Sequence, residues 1–226
     1  MRAVSHAILE SGAFRDGPLL EVGCGGCTFL RELAENNRGH TVLGIDNNPA
    51  ALYTMAAPWS VRLPLAQSHL HNLPFADNSL AGVIGLDTFD QQGVRLKTAL
   101  DESRRVLKTG GILLLRVSAY PWLRSAHDHA FGTGRRYSSK ELHRTLRQEG
   151  FKIERITHAN LLILLPAILL RLAFMAKLVS VEAGFSPARP LTAGLTAVLR
   201  FEAAILRSVS FPAGLSLYAL AQKDIA

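Results

Sequence analysis

Leu19-Leu20-Glu21-Val22-Gly23-Cys24-Gly25-Gly26-Cys27 is the stretch that decides the fold. An apolar run ends in an acid and enters a glycine-rich turn, and Thr28-Phe29-Leu30-Arg31-Glu32-Leu33 then reads as a helix. Strand, glycine loop and helix in that order open a nucleotide-binding α/β unit. The glycines let backbone N–H groups approach a ligand closely, and the helix N-terminus adds a partial positive charge.

Two cofactor classes use such a loop. The dinucleotide fingerprint needs glycine at the position of Thr28, and it is absent. An acid two residues before G-x-G, here Glu21, Gly23 and Gly25, suits a cation instead. The sulfonium and amino groups of S-adenosylmethionine meet that description, and a pyrophosphate would be repelled. Thr41-Val42-Leu43-Gly44-Ile45-Asp46 reads as the second strand. A carboxylate there, roughly 20 residues after the loop, is placed to accept hydrogen bonds from ribose hydroxyls. The plainer reading is that Asp46 caps the next helix together with Asn47, Asn48 and Pro49.

Composition bounds the rest. The chain has 226 residues, 48% of them hydrophobic, enough for one domain with an elaboration. Its formal net charge of +7 favours anionic partners. The only cysteines, Cys24 and Cys27, both lie in the glycine loop. No second ligand pair accompanies them, so no metal is expected, and reduced thiols in a cytoplasmic protein are the reading. Met1 to Glu10 is helical in pattern and mixed in polarity, unlike a leader.

Along the chain, strands are expected at 18–23, 41–46, 61–65, 80–86, 112–117, 151–157 and 215–222. Helices are expected at 2–11, 28–36, 94–107 and 138–148. Lys108-Thr109-Gly110-Gly111 is expected to end the third of these with glycine caps, and a capping box at Ser138-Ser139-Lys140-Glu141 to start the fourth. Such alternation makes a doubly wound α/β sheet, seven-stranded and mostly parallel with an antiparallel last strand. Residues 158–212 are too long for a hairpin loop and are expected to form a helical insertion within a single domain, 1–226. Leu161 to Leu170 carries no charge but contains Pro166, and it is too short to span a bilayer. Glu202 falls in an apolar stripe with Leu195, Val198, Leu199 and Leu206, and an arginine partner is expected for it.

The loop, Gly44-Ile45-Asp46, Leu73-Pro74-Phe75, Gly85-Leu86-Asp87 and Arg105-Val106-Leu107-Lys108-Thr109-Gly110-Gly111 together resemble the class I S-adenosylmethionine-dependent methyltransferases, in the small-molecule branch known as type 11. The resemblance covers about 18–157. It implies a Rossmann-like fold, S-adenosyl-L-methionine as cofactor, and cofactor contacts from Glu21, Gly23, Cys24, Gly25, Asp46, Asn47, His69, Leu70 and Asp87. Cys27 stands where the family usually has a third glycine. His69 and Leu70 stand where a carboxylate usually meets the adenine, and Gln91 where histidine is common.

The segment after the fifth strand, Ser118–Tyr137, holds the acceptor-side candidates. His127 is a candidate base with Asp128 as its orienting partner. Arg136 is a candidate clamp for an anionic group and Tyr137 a further polar group. For each, a structural role in pinning the loop is an equal alternative. The expected reaction is methyl transfer to oxygen or nitrogen of a small-molecule or lipid-linked acceptor. A binding protein that kept the fold is the alternative, and a nucleic-acid methyltransferase is disfavoured because no N-P-P-Y or D-P-P-Y motif is present. The insertion suits a lid, a homodimer interface or a peripheral contact with anionic lipid at the inner membrane.

Overall fold

The computed structural model describes residues 2–10, 15–36, 39–53, 63–175 and 189–224. Its strands are β1 (Leu19–Val22), β2 (Val42–Asp46), β3 (Leu65–Gln67), β4 (Leu80–Leu86), β5 (Leu107–Ser118), β6 (Phe151–Ala159) and β7 (Ser216–Lys223). They form one seven-stranded sheet in the order β3-β2-β1-β4-β5-β7-β6. β1 to β5 run parallel, and β7 lies antiparallel between β5 and β6.

Every residue of β1 is buried, and β4 is buried from Leu80 to Gly85. Strands apolar on both faces need helices on both faces. α4 (Leu96–Val106) and α6 (Ser139–Gln148) cover one side with Ala99, Leu100, Leu142 and Leu146. α1 (Arg2–Leu9), α2 (Thr28–Asn36) and the end of α8 (Arg189–Leu206) cover the other with Val4, Ile8, Leu30, Leu33 and Leu206. α3 (Pro49–Tyr53), α5 (Ala126–Ala130), α7 (Leu161–Met175) and a single 3-10 turn at Pro121–Leu123 complete the described elements. Ser138 caps α6 by accepting from the Glu141 N–H at 3.2 Å, as its sequence announces.

Three expectations need correction. The third strand lies at Leu65–Gln67, not at 61–65; residues 61 and 62 lie outside the described residues. It is a three-residue edge strand with two exposed positions, so it carries no apolar pattern to read. Leu107 to Gly111 does not close a helix. The chain turns extended at Leu107, which pairs with Leu80, and the register with β4 shifts before Ile112. Gly110, at φ 74°, serves that irregularity in β5. Finally, Glu202 has no arginine partner in its described contacts. Its carboxylate accepts from the Asn160 N–H and from the Leu161 N–H at 3.3 Å, capping α7. Of the insertion, 161–175 and 189–206 are helical, and 176–188 lie outside the described residues.

Candidate functional site

The parallel strands deliver β1, β2 and β4 to one edge, where the glycine loop turns. The Gly23 and Cys24 N–H groups both donate to the Ile45 carbonyl, at 2.8 and 3.0 Å, which holds the loop against the end of β2. Gly23 sits at φ 68° and has no room for a side chain: a Cβ would stand 2.4 Å from Thr88 Oγ1. Thr88 donates to the Val22 carbonyl at 2.9 Å, so β1 and the loop after β4 are clasped there. Gly25, at φ 48°, faces open space.

Asp46 organises the next layer. Its Oδ2 accepts from the Gly25 N–H and its Oδ1 from the Asn48 N–H, both at 2.8 Å. The carboxylate thus fixes the loop and the approach to α3, which Asn48 caps by accepting from the Ala50 N–H at 3.0 Å. Each oxygen keeps a second lone pair for a further donor.

Glu21 is 4% exposed, and its Oε2 has no hydrogen-bond partner. Burial pushes its carboxyl up to about 8, with a backbone hydrogen bond from Leu30 and then the charge of Arg116 pulling the other way. Arg116 forms a bidentate pair with Asp87, Nε to Oδ1 at 2.7 Å and Nη2 to Oδ2. Asp87 itself holds φ 56°, and Gln91 Nε2 donates to its carbonyl at 2.8 Å. The two cysteines lie 3.5 Å apart, sulfur to sulfur, both buried. Burial raises both thiols, so neither is a ready thiolate.

A cleft of about 630 Å³ opens at this edge. Gly23, Asp46, Asn47, His69, Leu70 and Asp87 all line it. Thr88, Gln91 and His71 line it too, and the sequence assigns none of them a role in binding. Glu21, Cys24 and Gly25 stand behind this lining, on the strand and loop that shape it. Among the described residues no cluster of potential metal ligands exists.

The segment 119–137 is attached to the cleft through Asp90. That carboxylate is 1% exposed, and its Oδ2 accepts from the Ser118 N–H at 2.8 Å. The Asp90 carbonyl accepts from the Gly134 and Arg135 N–H groups at 2.7 and 3.1 Å, and Gln92 N–H donates to the Gly132 carbonyl at 2.8 Å. Gly132 thereby reaches the cleft wall. Asp128 and Arg136 pair with each other bidentately, at 3.0 and 2.6 Å, and are nearly buried. Asp128 also accepts from the Ser125 N–H, and Arg136 donates to the Ala119 carbonyl at 2.9 Å. The pair pins the segment to the end of β5 rather than facing the cleft. Tyr137 is 2% exposed with Arg135 over its ring, and burial raises its hydroxyl. His127 falls in α5, and its side chain lies outside the described residues.

Residues 20–115 match the family described as a methyltransferase domain, of type 11. Over these residues the chain is similar to the class I S-adenosylmethionine-dependent methyltransferases. No curated protein matches this methyltransferase in sequence. Its fold is shared by the protein solved in complex with the Haloferax volcanii Trm112 methyltransferase activator, at TM-score 0.67 and 18% identity, over 100% of this chain and 90% of that one. A methyltransferase from Methanosarcina mazei aligns at TM-score 0.62 and 18% identity, over 97% and 98% of the two chains. Phosphoethanolamine N-methyltransferase 2 of Haemonchus contortus, solved with S-adenosyl-L-methionine, aligns at TM-score 0.62 and 17% identity, over 98% of this chain and 52% of that one. At these identities the likeness is one of fold.

Proposed function

We propose that this methyltransferase transfers a methyl group to an oxygen or nitrogen of a small-molecule or lipid-linked acceptor with a large apolar part. What supports the cofactor half is the convergence of Gly23, Asp46, Asn47, His69, Leu70 and Asp87 on one cleft. The residues fit S-adenosylmethionine: Glu21 offers an unpartnered buried oxygen to a cation, and the space over Gly25 is open. Asp46 receives the ribose hydroxyls on its free lone pairs. Gly23, Cys24 and Gly25 present backbone to the amino-acid portion. Asn47, His69 and Leu70 border the adenine, and Asp87, neutralised by Arg116, forms the floor.

The bound cofactor supplies a methyl carbon made electrophilic by its sulfonium, open to in-line displacement. This chain then has to orient the acceptor and take its proton. His127 is assigned as the base, with Asp128 and Arg136 holding its segment in place and Tyr137 closing the wall. The helical insertion, 158–212, forms the lid on the acceptor side, and its apolar residues select an acceptor with an apolar body.

Calorimetry with S-adenosylmethionine, followed by label transfer from methyl-labelled cofactor into pooled lipids and small metabolites, tests this reading. Asp46→Ala is expected to weaken cofactor binding by about 1–3 kcal/mol, because a charged acceptor is lost. Wild-type affinity in a folded Asp46→Ala protein refutes the ribose role. Cofactor binding without transfer into any pool favours a binding protein that kept the fold.

A further inference from the structure

Along α7, every residue from Leu161 to Leu169 is apolar, and none of them is buried. Leu162, Leu165 and Leu169 are 53%, 63% and 57% exposed, and their spacing puts them on one face. A helix that is apolar all round belongs in a core or in lipid. This one is not loosely placed at its root. Glu202 caps its first turn from α8, and Asn160 Nδ2 donates to Ser216 Oγ at 3.0 Å. Arg155 in turn caps the end of α8 through the Leu206 and Val209 carbonyls, at 2.6 and 2.7 Å. The root of α7 is therefore fixed by the fold.

The place of α7 matters as much as its composition. It leaves the sheet just after Ala159, which pairs with Ser216, which pairs with Ser118 at the end of β5. That is the edge on which the cleft opens. At the same edge Tyr120 stacks on His158 at 5.5 Å, and Trp122 lies against Tyr120 at 5.8 Å. Trp122 is 61% exposed and Phe131, in the same segment, 67%. An aromatic and aliphatic belt thus runs from the segment 119–137 to the root of α7.

Cations outnumber acids along this stretch of the sequence, where Arg171, Lys177, Arg189, Arg200 and Arg207 fall between 161 and 210. Of these Arg200 is exposed on α8, and Arg207, also exposed, meets Glu10 at 3.6 Å. The acids between 161 and 210 are Glu182 and Glu202, and Glu202 is the buried cap. We propose that α7 and Trp122 seat this methyltransferase on the surface of an anionic bilayer, with the cleft-bearing edge of the sheet turned towards the lipid. A second copy of the chain would bring these cations against their own kind, whereas anionic headgroups neutralise them. The 15 described residues of α7 are about 22 Å long, less than the roughly 30 Å hydrocarbon core, which suits a helix lying in the interface. Among the described residues no helix is long and apolar enough to cross a membrane. Tryptophan at the headgroup level fits the same geometry.

This docking goes beyond the proposed reaction and needs neither cofactor nor acceptor, so its failure is distinct from a failure of methyl transfer. The test is flotation of the full chain with vesicles of phosphatidylcholine, with or without phosphatidylglycerol. The expected result is flotation with the anionic vesicles, weaker by about tenfold or more on phosphatidylcholine alone. Leu162→Ser, Leu165→Ser and Leu169→Ser combined should abolish it while leaving the circular dichroism unchanged. Should that protein misfold, Arg200→Glu decides: weakened flotation supports the docking, wild-type flotation overturns it. In a Trp59→Phe background, Trp122 emission should shift to the blue on anionic vesicles, and an unshifted spectrum overturns the orientation. Wild-type protein that stays in solution with both vesicle types overturns the proposal. So does a stable dimer by light scattering that the leucine substitutions split without any vesicle binding.

Discussion

α2 and α7 belong to the same chain and obey opposite rules. α2 follows the glycine loop with three large apolar residues, Phe29, Leu30 and Leu33, and all three are buried. Its charged residues face outward, and Glu32 meets Arg2 at 2.7 Å. α7 has no polar face before Arg171, and from Leu161 to Leu169 nothing in it is buried. α2 is shaped by its pattern, because only one orientation hides its apolar stripe. α7 has no such preference and is oriented by capping at its root. An apolar run is thus not the same thing as a core, and the burial of each run separates the two.

The contrast breaks most visibly under truncation. Leu30→Ala removes a side chain with no exposed surface and should cost about 2–5 kcal/mol in chemical denaturation. A loss below 1 kcal/mol would mean that α2 is no more packed than α7.

The glycine loop should answer next. Gly23→Ala places a Cβ against Thr88 at a positive φ, costing about 1–3 kcal/mol of strain and disturbing the clasp to Val22. Adding Thr88→Ala should return the steric part and leave the backbone part. A single mutant as stable as wild type would show that the loop relaxes freely.

Glu21 gives a smaller, pH-dependent signature. Its folded carboxyl titrates near 8, raised from 4.5 by burial. Between those values the folded state holds a proton that the unfolded state has released. This group's contribution to stability is therefore complete below about 4.5 and declines as pH rises through the window. A cationic ligand reverses the preference, since it favours the ionised carboxylate. Cofactor affinity should rise with pH across the same window, by at most about tenfold per unit, with release of a proton. Calorimetry at neutral pH in buffers of different ionisation enthalpy reads that proton, and identical heats would remove Glu21 from the cation's surroundings.

The smallest effect is expected on α7. Leu165→Ser should change stability by less than about 0.5 kcal/mol, although the residue is as apolar as Leu30. A loss comparable to that of Leu30→Ala would show that α7 is packed in solution after all.

What could be read from sequence follows the range of the interactions. α2 and β4 fall where their patterns put them, because alternation, glycine and terminal acids are written locally. β3 was misplaced because a short, half-exposed edge strand has no pattern of its own. The extension of β5 back to Leu107 depends on Leu80, far away in sequence. The same division holds at the site. The residues around Gly23 and Asp46 are recognisable from a motif and converge on the cleft. The Asp87–Arg116 pair and the Asp90 contact to Ser118 join residues 29 and 28 positions apart, and no local signal announces them. Likewise Asp128 and Arg136 were readable as chemistry-bearing residues, but only their mutual pairing shows them holding the segment.

The pairing of Ala159 with Ser216 has one more consequence. Chain leaves and re-enters the sheet at two directly opposed residues of an antiparallel pair, whose Cα atoms lie about 5 Å apart. For the sheet, the whole excursion between them amounts to one hairpin connection of unusual length. Lengthening such a connection costs little, since closure entropy grows only with the logarithm of its size. Evolution can therefore exchange the material between these residues for other helices, and with it the surroundings in which the enzyme works, while strand register and the cofactor edge stay as they are. The main demand on a replacement is that it cover α1, where Val4 and Ile8 now share a core with Ala203 and Leu206.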